Sequence, residues 1–161
     1  MAERKHDRPE LPSVLDRLVD EDPQNQKEKP RTLKELAVAL RNAVRRDLED
    51  LLNTRQQPRE LPEGLDDLLS SSYEFGIPDF SGANMSSVER RRQYLRRIEE
   101  IIRQHEPRFS SVKVIPVEDK KTLLRSLHFR IEAVLRTEPM PESVLYDSHV
   151  DFLTRSFRIQ L

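Results

Sequence analysis

The 161-residue chain is 35% charged and only 6% aromatic, and it contains neither tryptophan nor cysteine. Its 28 basic and 29 acidic residues leave a net charge of -1, so no overall field attracts nucleic acid or an acidic membrane. The lack of cysteine excludes disulfides, zinc–thiolate sites and thiol nucleophiles. This composition is typical of a small subunit that packs against neighbours more than of an enzyme with a deep apolar pocket.

The first 30 residues predict an extension that precedes one domain at residues 31–161. Residues 1–12 lack the apolar segment of a secretory signal, and no later apolar run could cross a membrane, so we expect a cytoplasmic protein. Ser13–Val19 has apolar side chains at helical spacing, and the polar stretch Asp20–Pro30 follows it as a linker. This short helix either docks on a partner or folds back on its own domain.

Two long helices are predicted in the domain. The first begins at a capping box formed by Thr32 and Glu35, and it ends near Asn53, because asparagine tolerates a left-handed backbone there. A second capping box predicts a helix over Ser86–His105. Leu61–Leu69 adds a brief helix between them, and Ser70–Met85, with Gly76, Pro78 and Gly82, predicts an ordered loop held by Tyr73, Phe75 and Phe80.

The end of the second helix carries the sequence Glu106-Pro107-Arg108. Proline disfavours helical backbone at the residue before it, so Glu106 and Arg108 are expected at a rigid bend and not on a helix face. If these charges stay exposed, an ion pair that they form contributes ~0 to 1 kcal/mol. If they become desolvated at an interface, removing one partner of the pair costs ~3 to 5 kcal/mol. Two interpretations therefore stand side by side: Arg108 ties the corner to the first helix, or the corner docks a partner.

After the corner the apolar period changes from helical spacing to two, which predicts strands. Val112–Val117 and Leu123–Arg136 are the first two, and the second alternates apolar and polar residues along its length. Ser143–Ile159 is predicted as one further long strand, with a bulge or a change of face near Thr154–Ser156, where the apolar parity shifts. The predicted fold is α+β, with two main helices on a small antiparallel sheet of about three strands.

Four short motifs follow one another along the chain: Leu51-Leu52-Asn53-Thr54-Arg55, Phe75-Gly76-Ile77-Pro78-Asp79, Glu106-Pro107-Arg108-Phe109 and the alternating Phe129-Arg130-Ile131-Glu132. Their order resembles the baseplate wedge family of contractile tails. The resemblance covers roughly Leu33 to the carboxyl terminus. Phe75 is a departure, since the family has tyrosine before the glycine. The amino-terminal Leu15-Asp16-Arg17-Leu18 and its polar linker resemble the TssE branch found in type VI secretion systems.

The resemblance implies a structural, non-enzymatic subunit of a cytoplasmic baseplate that assembles at the inner face of the bacterial membrane. Its implied partners are the wedge subunits TssF and TssG, together with TssK and the sheath proteins TssB and TssC. The Glu-Pro-Arg corner is the family's interface motif, so the implied partner-binding residues are Glu106, Pro107 and Arg108. No cofactor, metal or nucleic acid is implied.

Members of this family have been related to lysozymes, so a peptidoglycan hydrolase is a competing interpretation. Such an enzyme needs two carboxylates ~5 to 9.5 Å apart, one of them with a raised pKa. The candidates are numerous and do not single out a pair, and few aromatic residues are available to stack on a sugar. The candidate carboxylates are Glu99, Glu100, Glu106, Glu118 and Asp119.

Metal binding and nucleic-acid binding are two further functions that the residues can be tested against. His105, His128 and His149 lack the spacing of a helical metal site, and no Gly-x-Ser-x-Gly turn supports a serine hydrolase. The helix segment Arg90–Arg97 could follow phosphates. Glutamates interleave with these arginines, which favours a solvated or partner-facing helix held by charge pairs.

Overall fold

The computed structural model describes Leu18 and residues 32–56, 71–79, 87–117, 126–137 and 140–161. The rest of the predicted docking helix, the brief helix at Leu61–Leu69 and the ring of Phe80 lie outside the described residues. The division into an extension at 1–30 and a domain at 31–161 stays a prediction. No helix among the described residues is long and apolar enough to span a membrane.

Helix α1, Leu33–Asn53, begins as predicted at a complete capping box. The Thr32 hydroxyl accepts the Glu35 backbone N–H, and the Glu35 carboxylate accepts the Thr32 backbone N–H at 2.7 Å. The helix also ends at the expected residue, although the expected reason is wrong. Thr54 follows in an extended conformation (φ -81°, ψ 135°), so no left-handed cap ends the helix.

Helix α2, Val88–His105, starts without the predicted capping box. Its N-cap is Ser87, whose hydroxyl donates to the Glu89 carboxylate at 2.9 Å and caps no backbone group. The pKa of Glu89 is lowered because its own backbone N–H and the Ser87 hydroxyl both donate to the carboxylate. Glu89 thus supplies negative charge at the positive end of the helix, where the macrodipole favours it.

The described residues form one sheet of four antiparallel strands in the order β1-β2-β3-β4, one strand more than predicted. Leu127, Ile131 and Leu135 share the buried face of β2, as the alternation predicted. The α+β class is confirmed, with both helices packed through one core against the same face of the sheet. The strands are β1 Phe109–Pro116, β2 Ser126–Leu135, β3 Glu142–Asp151 and β4 Ser156–Gln160.

The predicted single strand over Ser143–Ile159 is wrong, because a tight turn divides it into β3 and β4. The Asp151 carboxylate accepts the backbone N–H groups of Leu153 and Thr154, at 2.7 and 3.4 Å, and Arg155 adopts a positive φ of 55°. The turn reverses the chain, and Val150 then pairs with Phe157. The apolar parity shift near residues 154–156 is therefore real, and its cause is a hairpin.

Helix side chains cover backbone groups at both edges of the sheet. Asn53 of α1 donates to the Phe157 carbonyl at 3.1 Å and accepts its N–H at 2.9 Å, and the Glu49 carboxylate accepts the Ile159 N–H at 3.4 Å. On the opposite edge, the Glu99 carboxylate of α2 accepts the Val114 N–H at 3.0 Å. These contacts cover part of each edge, and a paired backbone group is not open to an added strand.

Candidate protein-docking site

The Glu106-Pro107-Arg108 corner joins the end of α2 to the start of β1. The Glu106 N–H still donates to Ile102 of the last helical turn, but its own backbone (φ -116°, ψ 82°) has left the helical region, as expected before proline. The Arg108 carbonyl then accepts the Arg136 N–H at 2.8 Å, beside the end of β2. The corner is thus held from both sides, and the predicted bend is confirmed.

Glu106 is buried, with only 5% of its surface exposed, and Arg108 satisfies its charge. The Glu106 Oε1 accepts the Arg108 Nε–H at 2.6 Å and the Arg108 backbone N–H at 3.2 Å, and its Oε2 accepts the Arg108 Nη2–H. A buried carboxylate is stable only with such pairing. The two charged residues of the motif are therefore first of all partners of each other.

Arg108 also connects the corner to α1. Its Nη2 lies 2.6 Å from the Asp47 Oδ2, across 61 positions of sequence. Burial opposes the charged form of Arg108, but the hydrogen bonds and charges of Glu106 and Asp47 outweigh it and raise the pKa of the guanidinium. The interpretation that Arg108 ties the corner to the first helix therefore describes the structure, whereas partner binding by the corner stays a prediction.

A groove with a volume of about 450 Å³ opens beside the corner. The carboxyl-terminal half of α1, the loop around Phe75 and the end of α2 form its walls, so three separate segments of the sequence meet there. Pro107 is exposed on its rim. The lining residues are Asp47, Leu48, Asp50, Leu51, Phe75, His105, Glu106, Pro107 and Arg108.

The loop wall of the groove is fixed to α2 through His105. The Phe75 and His105 rings meet edge to face with centroids 5.6 Å apart, and Phe75 packs against the core. Burial lowers the pKa of His105, partly opposed by a hydrogen bond to the Glu74 backbone and by the charge of Glu74. An aromatic ring does pin this loop, as predicted, and the His105 ring packs against it.

The loop wall is fixed to α1 through Gly76. Its φ is +113°, and a β-carbon there would lie 2.7 Å from the Thr54 carbonyl oxygen, which leaves room only for glycine. On either side of this contact, the Ile77 N–H donates to Thr54 and the Gln56 N–H donates to Ile77, both at 2.9 Å. Two of the sequence motifs, around Asn53 and around Gly76, therefore form one joint.

The histidines considered as metal ligands do not all lie together in the structure. His128 and His149 face each other across β2 and β3 with rings stacked at 5.5 Å, and burial, His128 and Arg158 lower the pKa of His149. Within the described ranges, no group of three or more acidic or histidine side chains could hold a metal ion. His105 lies apart from this pair, in the groove.

The structure gives partners for several charged residues of α2 and for some of the carboxylates considered as catalytic groups. Arg97 pairs with Glu100 at 3.1 Å, and Arg103 pairs with Glu99 at 2.7 Å, so charge pairs within α2 do form. Both oxygens of Glu106 already accept hydrogen bonds from Arg108. Glu118 and Asp119 lie outside the described residues.

Two lining residues, Asp47 and Asp50, were missed by the sequence reasoning. Both flank the apolar stripe of α1, because Asp47 directly precedes Leu48 and Asp50 directly precedes Leu51. Polar residues beside an apolar stripe are the usual boundary of a packed helix. Nothing local marks Asp47 as the partner of Arg108. Only the packing of α1 against the corner brings the two together.

Of three comparisons with known proteins, only the comparison with protein-family models gave a match. The family model described as Baseplate wedge protein gp25 matches residues 38–140, which is more than half of the chain. Neither the search of curated proteins nor the search of solved structures found a match. The matched span includes every residue that lines the groove. The chain therefore belongs to the baseplate wedge protein gp25 family.

Proposed function

We propose that this protein is a TssE-type subunit of a type VI secretion baseplate, with a structural and non-enzymatic role. The observation that carries the proposal is the family match over residues 38–140, which extends from α1 through the corner into β2 and as far as Met140. In this role the protein joins the wedge subunits TssF and TssG, with TssK as a further neighbour, to the sheath proteins TssB and TssC. Assembly takes place on the cytoplasmic face of the inner membrane.

The groove and its corner are the proposed contact with TssF and TssG. Their support is geometric: Pro107 is exposed on the rim, while Glu106 and Arg108 fix the backbone on either side of it. A surface whose shape is set before binding loses less conformational entropy when a partner docks. Glu106 and Arg108 act in this proposal by shaping the interface, and Pro107 acts by touching the partner.

The outer face of the sheet is the proposed contact with the sheath. Both helices pack on the opposite face, and Leu145 of β3 is 56% exposed on the outer side. Side chains of the helices already pair backbone groups at both sheet edges, so the proposal places the sheath contact on this face. The wedge contact and the sheath contact then lie on different sides of one domain.

The wedge contact is tested with two matched substitutions of exposed prolines. Pro107→Arg adds bulk and charge to the rim of the groove, whereas Pro116→Arg makes the same change at the end of β1. We expect Pro107→Arg to weaken co-purification with TssF and TssG by roughly tenfold or more, as for a central interface position. Pro116→Arg should co-purify like the wild type.

Circular dichroism of both variants establishes that the fold is retained before the binding results are compared. Equal recovery of TssF and TssG with Pro107→Arg and with the wild type would rule out this groove as the wedge contact. Hydrolysis of peptidoglycan by the purified wild-type protein would contradict the non-enzymatic role, and it is measured in parallel.

A further inference from the structure

The groove beside the corner is lined by more acidic than basic side chains, which favours a positively charged ligand. Resting on the proposed wedge contact, we propose that the groove receives a lysine or arginine side chain of the wedge partner, with Asp50 as its main acceptor. The aliphatic stem of that side chain lies along the apolar wall, and its charged head reaches the carboxylate.

Arg108 is the cation of the corner, and its Nε and Nη2 donors are already used. Its Nε and Nη2 donate to Glu106, and Nη2 also donates to Asp47 at 2.6 Å. Its side chain is only 23% exposed. An acidic partner that competed for Nε or Nη2 would break this network and leave Glu106 buried without a counter-charge.

Asp50 is the acidic group left available. It is exposed on α1, and its carboxylate forms no hydrogen bond or ion pair within the described part of the chain; the Thr54 hydroxyl donates to its backbone carbonyl and leaves the carboxylate open. Asp47, Asp50 and Glu106 contribute three negative charges to the lining, and Arg108 contributes one positive charge. The groove is therefore acidic overall and complements a cation.

The walls of the groove suit a cation with an apolar stem. Leu48, Leu51, Phe75 and Pro107 line it beside the carboxylates, and its volume of about 450 Å³ falls within the range of binding pockets. Lysine and arginine bury their methylene stems on apolar surface while their heads stay with polar groups. A purely apolar partner would instead desolvate Asp50 without pairing it, which costs free energy.

The test compares substitutions at Asp50 with matched changes at Glu100, which is also an exposed helical carboxylate and does not line the groove. Asp50→Asn removes the charge at nearly constant size, and Asp50→Lys reverses it. Their affinities for the TssF–TssG complex are measured at low and at high salt, beside Glu100→Gln and Glu100→Lys. Asp50 has no side-chain pairing within the described ranges, so its two variants should keep the wild-type melting curve. Glu100 has one exposed pair, with Arg97, so its two variants should lower the melting temperature only slightly.

We expect the affinity of Asp50→Lys for the complex to be roughly tenfold or more below that of the wild type. Asp50→Asn should lose less affinity than Asp50→Lys, and its affinity should depend less on salt than that of the wild type. Both Glu100 variants should bind like the wild type. Wild-type affinity of Asp50→Lys would overturn the inference and leave the proposed function standing. An equal, salt-independent loss in Asp50→Asn and Asp50→Lys would also overturn it, because shape and not charge would then matter. Failure of the wild-type chain to bind the complex would instead remove the proposed function itself, and this inference with it.

Discussion

At the scale of residues, two members of the Glu106-Pro107-Arg108 corner stabilise the fold and the third lies on the surface. Glu106 and Arg108 neutralise each other inside the fold, and Arg108 reaches on to Asp47. Pro107 alone of the three is exposed. From the sequence, the two charges suggested direct contacts with a partner. In the structure they pair with each other, and Arg108 also links the bend to α1 through Asp47.

Loss of Arg108 should therefore reduce stability before it reduces binding. Arg108→Ala leaves Glu106 buried without a counter-charge, which is expected to lower the free energy of unfolding by about 3 kcal/mol. Arg97→Ala is the matched control, because it removes an arginine from a solvent-exposed pair with Glu100 and should cost less than about 1 kcal/mol. Urea unfolding followed by circular dichroism measures both; equal losses would mean that the corner is not a structural clamp.

At the scale of elements, the packing of α1 against β4 depends on polar side chains as well as on the core. Glu49 and Asn53 lie one turn apart on α1, and both bind backbone groups on the outer edge of β4. Arg45, a further turn back, pairs with Glu49 at 3.0 Å. This row closes the edge of the last strand, which would otherwise be open to strand addition.

The Asn53 contact gives a prediction at this scale. Asn53→Ala removes two hydrogen bonds to Phe157 and leaves that backbone unpaired at the edge, so we expect a loss of about 1–3 kcal/mol in the free energy of unfolding. Asn42→Ala, an exposed position on the same helix, should change it by less than about 0.5 kcal/mol. Urea unfolding measures both, and an unchanged midpoint for Asn53→Ala would show that α1 does not hold β4 through this residue.

The sequence was informative about elements whose signals are local. The Thr32 capping box and the alternation of β2 were predicted, because each depends on residues a few positions apart, whereas the end of α1 was placed correctly for a wrong reason. The hairpin between β3 and β4 was missed, because it contains no glycine or proline and Arg155 supplies its left-handed backbone. The Asp151 carboxylate that accepts two turn N–H groups was the one local signal available.

The site was less predictable than the elements, since its parts are distant in sequence. The bend at Pro107 follows from a local steric rule and was predicted. The pairing of Arg108 with Asp47 spans 61 positions and arises only when α1 packs beside the corner. The motif order still identified the family, which the match over residues 38–140 confirms, while the physical use of the motif residues needed the structure.

At the scale of the whole molecule, the fold has two distinct outward surfaces. The helix layer carries the groove, and the sheet on the other side leaves Leu145 and the paired Arg130 and Asp147 exposed on its outer face. A subunit that joins two neighbours needs two surfaces that can be occupied at once. This arrangement is consistent with the proposed position between the wedge and the sheath.

Hydrogen–deuterium exchange of the protein, alone and bound to TssF and TssG, tests the central claim most directly. The account predicts that the wedge subunits slow exchange in the loop around Phe75, at residues 73–79, and at the corner, residues 105–109, because these segments form the walls of the groove. Exchange in the two central strands, β2 and β3, should stay unchanged until the sheath proteins are added. Protection confined to the sheet, with the loop and the corner exchanging as in the unbound protein, would contradict the account.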